Sequence, residues 1–257
     1  MAIGISTSCL YPETPDESLK KLGEAGVKTC EIFLNSTSET TIEYAKELSL
    51  IRDYYGMRIA AIHPFTSFAE TTMLFSEYKK RFVDGLEFYK RNFEVAAYLG
   101  AKLIVIHGAK KPERITHEEY FERFGTLYET GAEFGVMAAQ ENVNLFLSES
   151  PEFLKEMRKA LGSSFKTVFD IKQTVRAGFD TYAFAEEFKN DIVHIHLSDN
   201  TPVCDCLPPS QGNFDFNRFF GIMEGADYGG DYVIELYRRN FDTVDTLTRS
   251  LRFLCDL

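Results

Sequence analysis

Eight short apolar runs alternate with longer amphipathic stretches along this chain, and that alternation limits its fold more than any other feature. The runs are AIGIST near 2–7, KTCEIFL near 28–34, RIAAIHP near 58–64, KLIVIHG near 102–108, VNLFLSE near 143–149, KTVFDI near 166–171, IVHIHLS near 192–198 and DYVIELY near 231–237. Each is rich in Val, Ile, Leu or Phe and is bounded by polar or turn residues, the pattern of a buried strand. Helix patterns fill the intervals. PDESLKKLGEAG opens on Pro15 with acids in its first turn and closes on Gly26, and SPEFLKEMRKALG starts from Ser150 as N-cap with Pro151 next. Two further stretches end on Gly56 and Gly100, and HEEYFERFGTLYETGAEFGVMAAQE reads as one helix from His117 to Glu141.

Strict alternation of strand and helix implies parallel strands joined by right-handed crossovers. Eight such units in 257 residues predict an α/β fold, a single (β/α)8 TIM barrel of eight parallel strands forming one domain over residues 1–257. An open doubly wound sheet usually carries a glycine fingerprint after its first strand, and ISTSCLYPE has no GxGxxG. No run approaches the roughly 18 apolar residues of a membrane helix. The start, MAIGISTSCLYPETPDES, lacks the basic-then-apolar pattern of a leader, and the five cysteines are an odd number in a chain long enough to need no staples. A reduced, cytoplasmic setting without a membrane partner is the expectation.

Four of the apolar runs end on residues that chemistry can use. They are Glu149 in NLFLSES, Asp170 in KTVFDIKQ, His196 in IVHIHLSDN and Glu235 in DYVIELY. The working face of a (β/α)8 barrel lies where strands run into helices, so these four are expected to converge there. Three carboxylates and an imidazole suit a hard-to-borderline divalent cation. His63 in AAIHP and His107 in VIHGA occupy the same kind of position on runs three and four. They read as substrate contacts, as ligands of a second metal or as satisfied barrel histidines. His194 faces the same side as His196 two residues later and reads as its supporting partner. Lys172 and Arg238 are candidates for holding an anionic group, with Lys172 also able to polarise a carbonyl. Tyr11, Phe65 and Phe68 are candidates for the pocket wall. A formal charge of −11 argues against nucleic acid as a partner.

The order of these residues resembles the xylose isomerase-like sugar phosphate isomerase/epimerase superfamily, and the resemblance covers essentially the whole chain. HLSD around Asp199 is similar to that family's HLxD, CLPPSQGNFDF to its HLPPGxGxxDF loop, and DIKQTVRAG to a variant of its DxGH segment. The resemblance implies that Glu149, Asp170, His196 and Glu235 bind one divalent ion, with Mn, Mg, Co and Zn all suited. It implies a small sugar, sugar phosphate or related keto-polyol as substrate, and homodimers or homotetramers as assemblies. Three positions depart from the family pattern. Gln173 replaces a His that contacts substrate, Cys206 replaces the loop His, and Ser210 replaces the first loop Gly. In the family's AP endonucleases those histidines hold further zinc ions, so these departures and the acidic charge count against an endonuclease.

The implied reaction is metal-dependent isomerisation or epimerisation. The carbon next to a carbonyl loses a proton, and the metal stabilises the enediolate that forms. By resemblance to the 3-epimerases, Glu149 and Glu235 are the acid/base pair, Asp170 and His196 are mainly ligands, and His63, His107, Lys172, Gln173, Cys206 and Arg238 surround the substrate. An inosose-type dehydratase uses the same intermediate and is the alternative. An AP-endonuclease-like phosphodiesterase and a sugar-binding barrel without turnover follow it.

Overall fold

The computed structural model describes residues 2–112 and 114–257. The barrel strands are β1 (Ala2–Ser6), β2 (Thr29–Phe33), β3 (Arg58–His63), β4 (Leu103–Ile106), β5 (Met137–Glu141), β6 (Thr167–Asp170), β7 (Ile192–Leu197) and β10 (Asp231–Ile234). They close in the order β1-β10-β7-β6-β5-β4-β3-β2, and each adjacent pair is parallel. A small antiparallel hairpin, β8 (Asp199–Thr201) and β9 (Cys204–Leu207), stands after β7 at the end where strands pass into helices.

Helices fill the connections. They are α1 (Pro15–Glu24), α2 (Ile42–Tyr55), α3 (Glu70–Met73), α4 (Lys79–Leu99), α5 (His117–Glu133), α6 (Pro151–Leu161), α7 (Ile171–Arg176), α8 (Thr181–Phe188), α9 (Phe216–Glu224) and α10 (Val244–Cys255). Their starts follow local chemistry. Thr14 and Glu17 form a reciprocal capping box on α1, Ser150 accepts from the Phe153 amide at α6, and Asp170 accepts from the Gln173 amide at α7. Gly56 and Gly100 stop α2 and α4 in the left-handed region. No described helix is long and apolar enough to cross a membrane.

The fifth strand corrects the sequence reading. Residues 143–149 do not form it, because Leu145 turns to φ +69° and Leu147–Glu149 coil into a 3-10 helix. The fifth strand is Met137–Glu141, which the apolar periodicity assigns to the end of the preceding helix. Helix α5 instead ends at Glu133, and Gly135 at φ +70° turns the chain into the barrel. MAAQE is poor in β-branched residues, so local propensity does not announce it. Pairing with β4 on one side and β6 on the other holds it.

Two layers of apolar side chains result. Leu, Ile and Phe residues on the outward faces of the strands pack under the helices in one large core, while Ala61, Leu103, Val105, Ala139 and Val168 form a small cluster inside the barrel. Inward positions recur every second residue. One step beyond Ala61, Val105, Ala139 and Val168 come His63, His107, Glu141 and Asp170. On β3 to β6 the inward face therefore changes from apolar to ionisable in a single step of the pleat, while β2 and β7 already carry Glu31 and His194 at the level of Ala61 and Val168.

Candidate metal centre

Glu141, Asp170, His196 and Glu235 offer ligand atoms that all lie within 4.8 Å of one another. Strand register explains part of this, since Asp170 and His196 are directly paired across β6 and β7. His196 Nδ1 is the focus, at 3.2 Å from Glu141 Oε1, 3.5 Å from Glu235 Oε2 and 3.6 Å from Asp170 Oδ2. Its other nitrogen, Nε2, donates to Glu31 Oε2 at 2.9 Å, and His194 Nε2 donates to the same oxygen at 3.0 Å. Glu31 lies inside β2 and is fully buried. By accepting the Nε2–H it aims Nδ1 at the carboxylates, where it donates to Glu141 in the metal-free protein, the arrangement in which an outer carboxylate orients a ligating histidine.

A second set of three shares Glu141. His107 Nε2 lies 2.7 Å from Glu141 Oε2 and 3.0 Å from His63 Nε2. The His63 Nδ1–H donates to the Pro64 carbonyl, so in its neutral form His63 Nε2 accepts from His107. With that hydrogen directed at His63, Glu141 Oε2 is buried and has no hydrogen-bond donor aimed at it. An orphaned carboxylate oxygen beside two histidines, and three carboxylates focused on one imidazole nitrogen, fit a divalent cation.

The scaffold around these groups is tightly tied. Gln140 donates to the carbonyls of Ile106, His107 and Glu141 and accepts from Tyr120 at 2.6 Å, so the ends of β4 and β5 are held together. Gly108 must be glycine, since it sits at φ +89° and a Cβ there would stand 2.0 Å from the Tyr120 hydroxyl. Asn142 brackets β6 by accepting from the Asp170 amide at 2.7 Å and donating to its carbonyl at 3.1 Å.

Lys172 enters this cluster from the first turn of α7. Its Nζ donates to Asp170 Oδ2 and, at 2.6 Å, to Glu235 Oε2. Burial works against its charge, but Asp170 and then Glu235 outweigh that and hold its pKa well above the ordinary lysine value. His196 behaves alike: burial opposes protonation, and Glu31 followed by Glu235 pushes its pKa well above the usual imidazole range. Glu31 is held well below the carboxylate range, since His196 and His194 overcome the burial that raises it. Asp170 is raised, because its burial exceeds what Lys172 returns.

Above the cluster opens a cavity of about 360 Å³ whose wall includes His63, His107, Glu141, Lys172, Gln173 and Glu235. Tyr11, Phe33, Tyr237 and Leu236 give it apolar sides, with Ser8 and Asn35 at its polar edge. Four expectations from the sequence change here. Glu149 lies outside the cavity, 22% exposed, with Lys111 Nζ 2.8 Å from its Oε1 and the Leu145 amide on its other oxygen, because the run that carries it is not a strand. Glu141 stands where Glu149 was expected. Cys206 is fully buried on β9 and is absent from the cavity wall. Arg238 lines the cavity, but its guanidinium donates to the carbonyls of Phe241 and Asp242 in its own loop. Tyr11 is on the wall, whereas Phe65 and Phe68 are not among the lining residues.

The sequence marks of the loop after β7 serve structure. Asp199 accepts from the amides of Ser210, Gly212 and Phe214 at 3.1, 2.8 and 3.0 Å, which folds the PPSQGNF segment against the hairpin. Ser210 adopts φ +83°, a conformation that favours the glycine of the family pattern.

An uncharacterized protein of Mycobacterium leprae (strain TN) is 26% identical over 284 residues, which span 98% of this chain and 95% of that one. A solved D-tagatose 3-epimerase-like protein superposes with a TM-score of 0.83 at 23% identity, covering 100% of this chain and 96% of the other. The IOLI protein, solved with a binding zinc atom, superposes with a TM-score of 0.77 at 15% identity, covering 99% and 98%. The model of one family matches residues 19–257, and the chain accordingly belongs to the xylose isomerase-like TIM barrel family.

Proposed function

We propose that this protein is a divalent-metal-dependent epimerase or isomerase of a small keto sugar. The observation that carries the reading is the convergence of Glu141, Asp170, His196 and Glu235 on one point, with Glu141 and Glu235 reaching the cavity wall. Glu141, Asp170, Glu235 and His196 Nδ1 would hold the ion. A bound ion supplies Lewis-acid polarisation of a substrate carbonyl. Glu141 and Glu235 are the acid/base pair. They stand on strands separated by β6 and β7 and so flank a substrate from two sides. One carboxylate takes the proton from the carbon beside the carbonyl, and the other returns a proton on the opposite face, which inverts that carbon. Return to the neighbouring carbon isomerises instead. Gln173 and Asn35 on the wall would meet sugar hydroxyls, and Tyr11, Phe33 and Tyr237 would shield the open-chain substrate from water.

The Arg238 guanidinium on the cavity wall is turned back to the carbonyls of Phe241 and Asp242, which favours an uncharged sugar over a phosphorylated one. The names of the epimerase-like and zinc-bound neighbours support the class of reaction and the need for a metal.

A two-metal phosphodiester hydrolase is the second reading, favoured by the sharing of Glu141 between the four-residue cluster and the His63–His107 pair. The charge of −11 weighs against a nucleic-acid substrate.

Incubation with Mn²⁺ and a panel of ketoses in D₂O, followed by NMR, tests the proposal. Deuterium should appear at the carbon next to the carbonyl, and Glu235→Gln should slow its appearance by about 10²–10⁴-fold. Metal binding without exchange on any ketose would reject turnover and leave a sugar-binding barrel. Two equivalents of metal with cleavage of abasic DNA would favour the hydrolase.

A further inference from the structure

The residue two positions after Asp170 sets this cluster apart. Lys172 is 3% exposed, and its ammonium is bound to the same oxygens, Asp170 Oδ2 and Glu235 Oε2, that point at His196 Nδ1. Those oxygens are two of the candidate donors to a divalent ion. An ion seated on them at coordination distance would lie within hydrogen-bond length of Nζ, and two cations cannot share a pair of oxygens so closely.

We propose that Lys172 and a divalent cation are alternative occupants of this site, so that metal binding requires the lysine to withdraw. The chain carries its own counter-ion for the empty state. Without Nζ, Asp170 and Glu235 would stand buried beside Glu141 with His196 as their neighbouring positive group, a costly arrangement. Lys172 itself lines the cavity, so the withdrawing ammonium can move into that open space. Withdrawal also frees Asp170 and Glu235 together, which ties availability of the proposed base to occupation by metal. The inference rests on the metal-binding reading given above.

Calorimetric titration of Mn²⁺ into the metal-stripped full-length protein tests it, with wild type beside Lys172→Met and Lys172→Gln. Both variants should bind at least tenfold more tightly than wild type and, free of metal, should melt below it. Unchanged or weaker binding in the variants, with wild type still binding, would overturn the competition while leaving the metal site standing. Failure of all three proteins to bind Mn²⁺ or Zn²⁺ would remove the metal reading and the inference with it. Should the variants not fold, wild type alone decides. Acylation of Lys172 by an amine-reactive probe, read by peptide mass spectrometry, should rise on saturation with Mn²⁺, and no rise would overturn the proposal.

Discussion

His196 is where the charges of the site meet, and its two nitrogens divide the work. Glu31 accepts from Nε2 and Nδ1 faces Glu141, Asp170 and Glu235, so one buried carboxylate outside the cluster determines which nitrogen is offered to an ion. The proposed roles separate two glutamates that lie eight positions apart in sequence. Glu141→Gln should lower turnover by about 10²–10⁴-fold and release the metal, because it neutralises a donor aimed at Nδ1. Glu149→Gln should leave bound metal per chain unchanged and cost at most about 1 kcal/mol, since it breaks only the outer pair with Lys111. Metal analysis of the two purified variants checks this, and loss of the ion from Glu149→Gln would reverse the assignment.

Among the elements, β5 and the hairpin loop show two ways a barrel places a residue. In β5 the side chains are weak strand formers, and hydrogen bonding from both neighbours fixes the register that turns Glu141 inward. In the loop, one carboxylate, Asp199, gathers three amides and forces Ser210 into the left-handed region. A serine held there bears strain of roughly 1–2 kcal/mol that glycine does not, part of it offset by the greater freedom of glycine in the unfolded chain. Ser210→Gly should therefore stabilise the protein by about 1 kcal/mol, a rise in Tm of roughly 2–4 °C for a chain of this size. Thermal melting of the variant reads the change directly, and a fall in Tm would show that the serine is held by interactions worth more than the strain.

On the scale of the whole barrel, closure gathers groups that come from six strands or the positions just after them. His63, His107, Glu141, Asp170, His196 and Glu235 are separated by as much as 172 positions in sequence (63 to 235) and share one end of the interior. A ligand that bridges so many strands should stabilise the fold as a unit. Mn²⁺ at a hundred times its Kd should add about 2.7 kcal/mol, which for a domain of this length raises Tm by roughly 5–10 °C. Asp170→Asn should abolish most of that rise. A Tm in wild type that does not respond to Mn²⁺, Zn²⁺ or Mg²⁺ would count against a site that spans the barrel.

The alternation of apolar runs and capped helices was enough to determine a closed (β/α)8 barrel, because burying both faces of parallel strands leaves few other arrangements. The same periodicity marked Asp170, His196 and Glu235, each of which ends a run rich in strand formers. It missed Glu141, whose strand is MAAQE, and chose Glu149 in the more apolar VNLFLSE. The glycines at 131 and 135 were the available sign that α5 stops short of Met137, since glycine is costly inside a helix and suits its end. Tertiary structure alone decided the rest. Hydrogen bonding by β4 and β6 made a strand of a segment with little preference for one, and charge neutralisation drew Lys172 into the cluster while Arg238 turned back to its own loop. Propensity and pattern act over a few neighbouring residues, whereas register and charge pairing are settled only when distant segments meet.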